Sequence, residues 1–447
     1  MNAITQMQQL INRLKNWRWD RQKERQLQEL AEASYCEGNT GTREKQQSKQ
    51  SLAFVCEEFF HPDLRGFGGF GKTVKNIAEH YNGRSNSQIK VALAFPQGTA
   101  LVGEPQTKTY HGTSVVLRQV EQKLSERAFK KYADQLRAIN PRLLITIDWY
   151  PSYAMPVYAL SDIPLIIWIH DPRDHEEWEK IAGVADELKF RGLDNSDQLI
   201  ALAKEKNISI LKLLALQKML PRRIVFATTA RTLVPRAERT YQIGTIKAHW
   251  LPNPIEIPPI DGTLETERPS LLYLGRLDAV KRPWIAFELA RRNPTIDFLI
   301  AGQAHAPELM APWLDRYKGI ANLRFLGHID GQPKDQLIRS CWAILNTSVH
   351  EAEPVSFLEA FAYGKCVLSC HDPDQEVTDF GYFTGEVLGE GLDEASLSRF
   401  DEQIARLVAN ADERHAKGRK AREEMIRNHT FESFDRHLMA IIDTEGI

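Results

Sequence analysis

The stretch from Asn346 to Cys370, NTSVHEAEPVSFLEAFAYGKCVLSC, reads as strand, loop, helix and strand. Pro354 suits the first turn of a helix, where a backbone N–H would go unpaired anyway, and Gly364 suits the left-handed residue that ends one. The spacing therefore predicts a helix beginning near Pro354 and stopping at Gly364. Glu359 is out of place in that apolar segment, and Glu351 precedes it in the loop. One carboxylate lies at the mouth and the other one turn inside. Between them the amides of Val355, Ser356 and Phe357 open the helix, and unpaired N–H groups at a helix start form an anion site. A pyrophosphate there would set a ribose near Glu359 and a sugar near Glu351, since carboxylates accept paired hydrogen bonds from neighbouring hydroxyls.

Upstream, LGRLDAVKRP places Gly275 and Arg276 at the end of an apolar run, with Lys281 shortly after. Two cations at the carboxyl end of a strand would stabilise a departing diphosphate. The surrounding chain alternates short apolar runs with helix-like segments. SLAFVC (Ser51 to Cys56), IKVALAF (Ile89 to Phe95), RLLITID (Arg142 to Asp148), PLIIWIH (Pro164 to His170) and RRIVFAT (Arg222 to Thr228) form one series. SLLYLG (from Ser270), DFLIAG (from Asp297), NLRFLG (from Asn322), CWAILNTS (from Cys341) and KCVLSC (from Lys365) form another. Alternation of this kind marks an α/β protein with parallel sheets covered on both faces. The proline-rich LPNPIEIPPIDGTLETERP (Leu251 to Pro269) separates the series and reads as a linker, because its prolines forbid continuous helix or central strand. Two sheets joined by a hinge imply a ligand cleft facing strand ends.

At 447 residues the chain has room for two or three domains, and its 26% charged and 43% hydrophobic composition is that of a folded protein. A net charge of −2 gives no broad positive field for nucleic acid. The five cysteines are odd in number and lack a C-x-x-C pair, which argues against disulfides or a zinc knuckle and fits a reducing compartment. No apolar run approaches the ~18 residues of a membrane span, and no signal-peptide core opens the chain, so a cytoplasmic location is expected. Residues 1–50 stand apart. Ile4, Met7, Ile11 and Leu14 recur at helical spacing, Trp17 and Trp19 follow among basic residues, and a polar linker ends the segment. Either a membrane surface at its inner face, a second copy, or the protein's own surface would meet residues 1–30.

RGFGGFGKT (Arg65 to Thr73) satisfies the phosphate-loop pattern through Gly66, Gly71, Lys72 and Thr73. The preceding strand ends near Cys56, however, and the intervening residues remove the cradle from the strand tip. A softer reading lets Gly68, Gly69 and Gly71 bring backbone close to an anionic group at the start of the helix KTVKNIAEHY.

As an ordered set, these features resemble the retaining nucleotide-sugar glycosyltransferases of family 4. The set comprises Gly68-Gly69, His170-Asp171, LPNPIEI, Gly275-Arg276 with Lys281, IAGQA (Ile300 to Ala304), LGHI (Leu326 to Ile329) and Glu351 with Glu359. The resemblance covers nearly everything after Ser51. It implies the GT-B fold: two Rossmann-like doubly wound domains facing a cleft, residues 51–254 with 430–447 on the acceptor side and 255–429 on the donor side. It implies that Arg276 and Lys281 neutralise the diphosphate, Glu359 holds the ribose and Glu351 grips the donor sugar. Gly302, Gln303, His328 and Ile329 lie near the base, and His170 reaches the sugar from the opposite domain. The final helix, with Phe431, Phe434, Leu438 and Ile441 on one face, crosses back to the first domain. The donor is a nucleotide sugar, UDP-linked first and GDP-linked second, the acceptor carries a hydroxyl, and no metal is obligatory. HDPDQEV after Cys370 departs from the glycine pair that many relatives carry before the equivalent of Glu376, and Glu353 adds an acid beside the sugar site. Asp372 and Asp374 imitate a D-x-D metal motif and are read as loop residues. A phosphate-loop NTPase, a sugar-nucleotide epimerase and a non-catalytic subunit are the competing readings.

Overall fold

The computed structural model describes residues 51–56, 59, 68–83, 90–95, 106–110, 112–117, 126–184, 197–198, 201, 209–215, 222–259, 264–304 and 306–447. The amphipathic segment 1–50 and Gly66 lie outside the described residues. The chain divides into two compact units. One comprises Met1–Trp168, Lys206–Ala227 and Ile442–Ile447, and the other Ile169–Glu205 and Thr228–Ile441.

The first sheet is built from β1 (Ser51–Val55), β2 (Lys90–Phe95), β3 (Gln106–Tyr110), β4 (Thr113–Leu117), β5 (Pro141–Ile147), β6 (Leu165–Ile169), β7 (Ile224–Thr228) and β8 (Ala248–Trp250). Their order is β3-β4-β2-β1-β5-β6-β7-β8. β1 lies between parallel partners, with Leu52 opposite Val91 on one side and Leu143 on the other. Every residue of β1 and β6 is buried, as expected of parallel strands covered on both faces. β3 and β4 form an antiparallel edge hairpin, and Gly112 (φ +75°) stands in its turn.

The second sheet contains β9 (Ser270–Leu274), β10 (Asp297–Ala301), β11 (Leu323–Gly327), β12 (Ala343–Asn346), β13 (Cys366–Ser369) and β14 (Tyr382–Phe383), ordered β11-β10-β9-β12-β13-β14. Successive side chains point to opposite faces. Leu271 and Tyr273 of β9, Leu345 of β12 and Leu368 of β13 join a core with Trp284, Ile285 and Phe287 of the helix Pro283–Arg292. Leu272, Ile344 and Val367 face the other way, toward Phe357, Leu358 and Phe361 of the helix Val355–Ala362 and Met425 of the helix Ala411–Asn428.

All ten apolar runs singled out in the sequence are strands. The proline-rich strip has neither helix nor strand among its described residues. It falls wholly within the second unit and packs there: Leu251, Asn253 and Ile255 are buried, and the Ile255 amide donates to the His429 carbonyl. The last helix, Phe431–Glu445, buries Phe431, Phe434, Leu438 and Ile441, the face read from its spacing. Its terminal residues, from Ile442, group with the first unit, where Glu445 pairs with Arg223 at 3.1 Å. No described helix is long and apolar enough to cross a membrane.

Candidate active site at the β9–β12 switch point

Numbered from β9, the second sheet has the order 3-2-1-4-5-6, and its direction of winding reverses between β9 and β12. The crevice outside the carboxyl ends of two such strands is where doubly wound sheets receive ligands. The turn after β9 carries Gly275, Arg276 and Lys281, and the loop after β12 carries Glu351. Backbone contacts lace the neighbouring strand ends: the Gly275 amide donates to Ala301, Leu277 to Gln303 and Gly302 to Gly327. A Cβ on Gly302 would stand 1.8 Å from the Gly275 carbonyl oxygen, so only glycine lets these turns approach.

Asp278 organises the β9 turn. Its Oδ1 accepts the Lys281 amide at 3.0 Å, and its Oδ2 lies 3.2 Å from Arg276 Nε. Lys281 Nζ reaches Glu351 Oε1 at 2.6 Å, closing an ion pair across the switch point. Ser348 Oγ and Asn346 Nδ2 donate to the same oxygen at 2.6 and 2.8 Å. Burial works to raise the Glu351 pKa, but Lys281 and these hydrogen bonds outweigh it and bring it down to about 2. No donor to Glu351 Oε2 occurs among the described residues.

Arg282 is a basic residue of a different kind. It sits at φ +44°, fully buried, and its guanidinium donates to the carbonyls of Thr347, Ser348, Val387 and Gly389. Its planar fork thereby holds the base of the β12 loop. Nothing in LDAVKRP announces this, because the carbonyls that receive Arg282 come from two distant segments.

The helix after that loop begins at Val355, with Pro354 as its cap and no side chain capping it, and Gly364 beyond its end has φ +66°. Of the three amides expected to await an anion, that of Phe357 instead donates to the Pro354 carbonyl at 2.9 Å, a tight first turn. Glu359 takes Lys334 Nζ at 2.6 Å, a partner from the helix Gln332–Ser340 that nothing near Glu359 in sequence announces.

His170 follows β6, a strand of the first sheet within which the division into two units falls, and groups with the second unit. Burial lowers its pKa to about 3, with Asp171 partly opposing, so the ring is neutral. A network missed in the sequence surrounds the next residues. His350 stands between Asp171 (2.7 Å from Nε2) and Glu177 (2.6 Å from Nδ1). Arg173 pairs with Asp171 at 2.6 Å, and Arg236 donates to the Glu351 carbonyl at 3.1 Å. Glu177 is acted on by burial, which raises its pKa, and more strongly by His350, Arg236 and Lys180, which bring it down to about 2. This network fixes the residue beside Glu351.

Gln303 and His328 are exposed at the ends of β10 and β11, and Ile329 packs on the core beneath the helix Val355–Ala362. Glu353, expected beside the sugar site, turns instead to Asn253, whose Nδ2 donates to it at 2.6 Å. Asp372 caps the amides of Val377 and Thr378, and Asp374 accepts those of Arg231 and Thr232, so both serve as loop and cap residues. In the first unit, Gly69 opens the helix Gly69–Asn82 behind Gly68, three residues earlier than expected. The helix therefore already includes Gly71 ahead of Lys72 and Thr73, and Thr73 is buried, whereas a phosphate loop keeps its glycines in the loop before the helix.

The family described as Glycosyl transferases group 1 matches residues 259–424. No curated protein matches by sequence. Among similar solved structures, sucrose-phosphate synthase from Thermosynechococcus elongatus has a TM-score of 0.64 at 14% identity, over 88% of this chain and 98% of that one. Anabaena Alr3699/HepE in complex with UDP-glucose has a TM-score of 0.59 at 13% identity, over 88% and 99%. The lipopolysaccharide outer core galactosyltransferase WaaB, in its apo form, has 0.54 at 16%, over 89% and 100%. At these identities the likeness shows the fold, and the fold is GT-B. Residues 259–424 thus match a group 1 glycosyltransferase domain, within a chain whose fold is GT-B.

Proposed function

We propose that the chain is a retaining glycosyltransferase that moves a sugar from a nucleoside diphosphate donor to a hydroxyl-bearing glycan, glycolipid or small molecule. The observation that carries this reading is the Lys281–Glu351 pair across the switch point, with Glu351 ionised and one of its oxygens without a protein donor. Cleaving a glycosyl phosphate builds positive charge on the sugar and negative charge on the departing diphosphate. Arg276, Lys281 and the amides of Val355 and Ser356 meet the negative charge, an electrostatic contribution on the order of several kcal/mol for the group. Glu351 Oε2 accepts hydroxyls of the donor sugar, Glu359 accepts those of the ribose, and the neutral His170 ring faces the sugar. Gly275, Gly302, Gln303, His328 and Ile329 border the base. A phosphate oxygen of the donor takes the acceptor's proton, which accounts for retention without a second catalytic carboxylate. Uridine diphosphate is the first choice of nucleotide, supported by the UDP-glucose held in the Anabaena structure, and guanosine diphosphate the second.

Thermal-shift titration with UDP, GDP, ADP and ATP, followed by assay of nucleotide release from the matching sugars, tests the reading. Stabilisation by UDP or GDP that Lys281→Ala loses, and turnover requiring a hydroxyl acceptor, is the expected result. Magnesium-dependent phosphate release from ATP that disappears in Lys72→Ala would overturn it, as would isomerisation of the donor alone.

A further inference from the structure

Away from the switch point, one cluster in the second unit is electrically unbalanced. Glu353, Glu376 and His429 come from three separate segments, yet a potential ligand atom of each lies within 4.8 Å of the others. Glu376 Oε2 is buried without a hydrogen-bond partner. So is Oδ1 of Asn253, a residue 2% exposed whose Nδ2 touches Glu353. The His429 ring is also 2% exposed, and its Nδ1 lies 3.0 Å from the Asn253 carbonyl. A carbonyl only accepts, so Nδ1 carries the proton and Nε2 presents a lone pair, the arrangement found behind metal-bound imidazoles. The charges acting most strongly on Glu376 are Glu353, Asp374, Glu424 and Asp372, all of them acids. Asp372 and Asp374 are occupied with backbone caps and Glu424 pairs with Arg427 at 3.0 Å, while no ion pair to Glu353 or Glu376 occurs among the described residues.

We propose that Glu353, Glu376 and His429 bind a divalent first-row transition ion of the Zn²⁺ type, as a structural clamp behind the loop that carries Glu351. Two carboxylates and one neutral imidazole balance a doubly charged ion and supply three ligands of a tetrahedral set. An amide flip of Asn253 turns Oδ1 toward the same point as a fourth donor. The imidazole disfavours magnesium and calcium, and the lack of thiolate disfavours copper(I). Burial and like charges push both carboxyls up in the ion's absence, Glu353 to about 8, which is the strain an ion would relieve. The clamp ties the β12 loop to the proline-rich strip through Asn253 and to the start of the last helix through His429. It takes no part at the departing diphosphate, the place for which no metal is expected.

The test uses the untagged full-length chain. Elemental analysis after dialysis is expected to find roughly one metal equivalent per chain. In protein stripped with chelator, Zn²⁺ or Mn²⁺ raises the melting temperature saturably by a few degrees. Glu376→Gln and His429→Gln abolish both effects. Glu376→Gln is isosteric and, without an ion, relieves repulsion, so the stripped variant melts at or above wild type and a folding failure does not confuse the result. An equal metal content and shift in the variants would place the ion elsewhere and overturn the proposal. So would wild-type protein that shows neither bound metal nor a shift while Glu376→Gln melts higher, which would mean that the two carboxyls share a proton.

Discussion

Glu351 and Glu353 stand on one loop, a single alanine apart, yet their carboxyls are pushed in opposite directions: Glu351 down to about 2, Glu353 up to about 8. Burial raises both. At Glu351 it is overcome by Lys281 and by hydrogen bonds from Ser348 and Asn346. At Glu353 the Asn253 amide opposes it only weakly, and Asp374 adds to it. The sign of a buried carboxyl is thus decided by what the fold brings against it, far more than by its place in the chain. The side of the loop that faces the switch point is built around a permanent negative charge, and the side that faces the proline-rich strip around acids lacking a counter-charge.

The largest effect should come from removing the frame both acids share. Arg282→Met leaves buried carbonyls at Thr347, Ser348, Val387 and Gly389 without their donor, and is expected to cost roughly 3–4 kcal/mol of stability in a denaturant titration. A loss below about 1 kcal/mol would mean that the loop holds itself. Next, Lys281→Ala breaks the compensated side alone. Turnover is expected to fall about 10²–10³-fold, with a much smaller change in melting, because Ser348 and Asn346 still hold Glu351. Unchanged turnover would remove Lys281 from the chemistry.

Acidification sharpens the contrast from the compensated side. The unfolded chain protonates His170 near pH 6.5, whereas the folded ring resists until about 3. Stability is therefore lost as pH falls below 6.5, by about 1.4 kcal/mol per unit from this residue. Glu177, with a folded pKa of about 2 against an ordinary 4.5, contributes stability above 4.5 that is lost as pH falls toward 2. Comparing melting curves from pH 7 to 4, His170→Asn should remove this residue's loss between 6.5 and 4.5; a difference from wild type that stays constant with pH would show that His170 is not the titrating group. The smallest effect concerns the second pair. Lys334→Ala releases Glu359 from its cation and is expected to raise the donor KM about 10-fold while leaving kcat nearly unchanged. An equal fall in kcat would assign Glu359 a role in the chemical step.

Ten of the strands, the glycine-ended helix after the β12 loop and the two acids that flank its start were legible in the residues alone, because these depend on local periodicity and on the backbone freedom of single residues. Arg276 and Lys281 were also marked by their position at a strand end. The edge hairpin β3–β4 escaped notice, since β3 is polar and the apolar part of β4 is only the short run Val115 to Leu117, less than the apolar run that marks β1 or β6. Lys334 opposite Glu359, His350 between Asp171 and Glu177, and the burial of Arg282 were decided only by the tertiary structure. The same holds for the turning of Glu353 away from Glu351. Each joins residues far apart in the chain, and a charge cannot reveal its partner until folding has brought the two within hydrogen-bond reach.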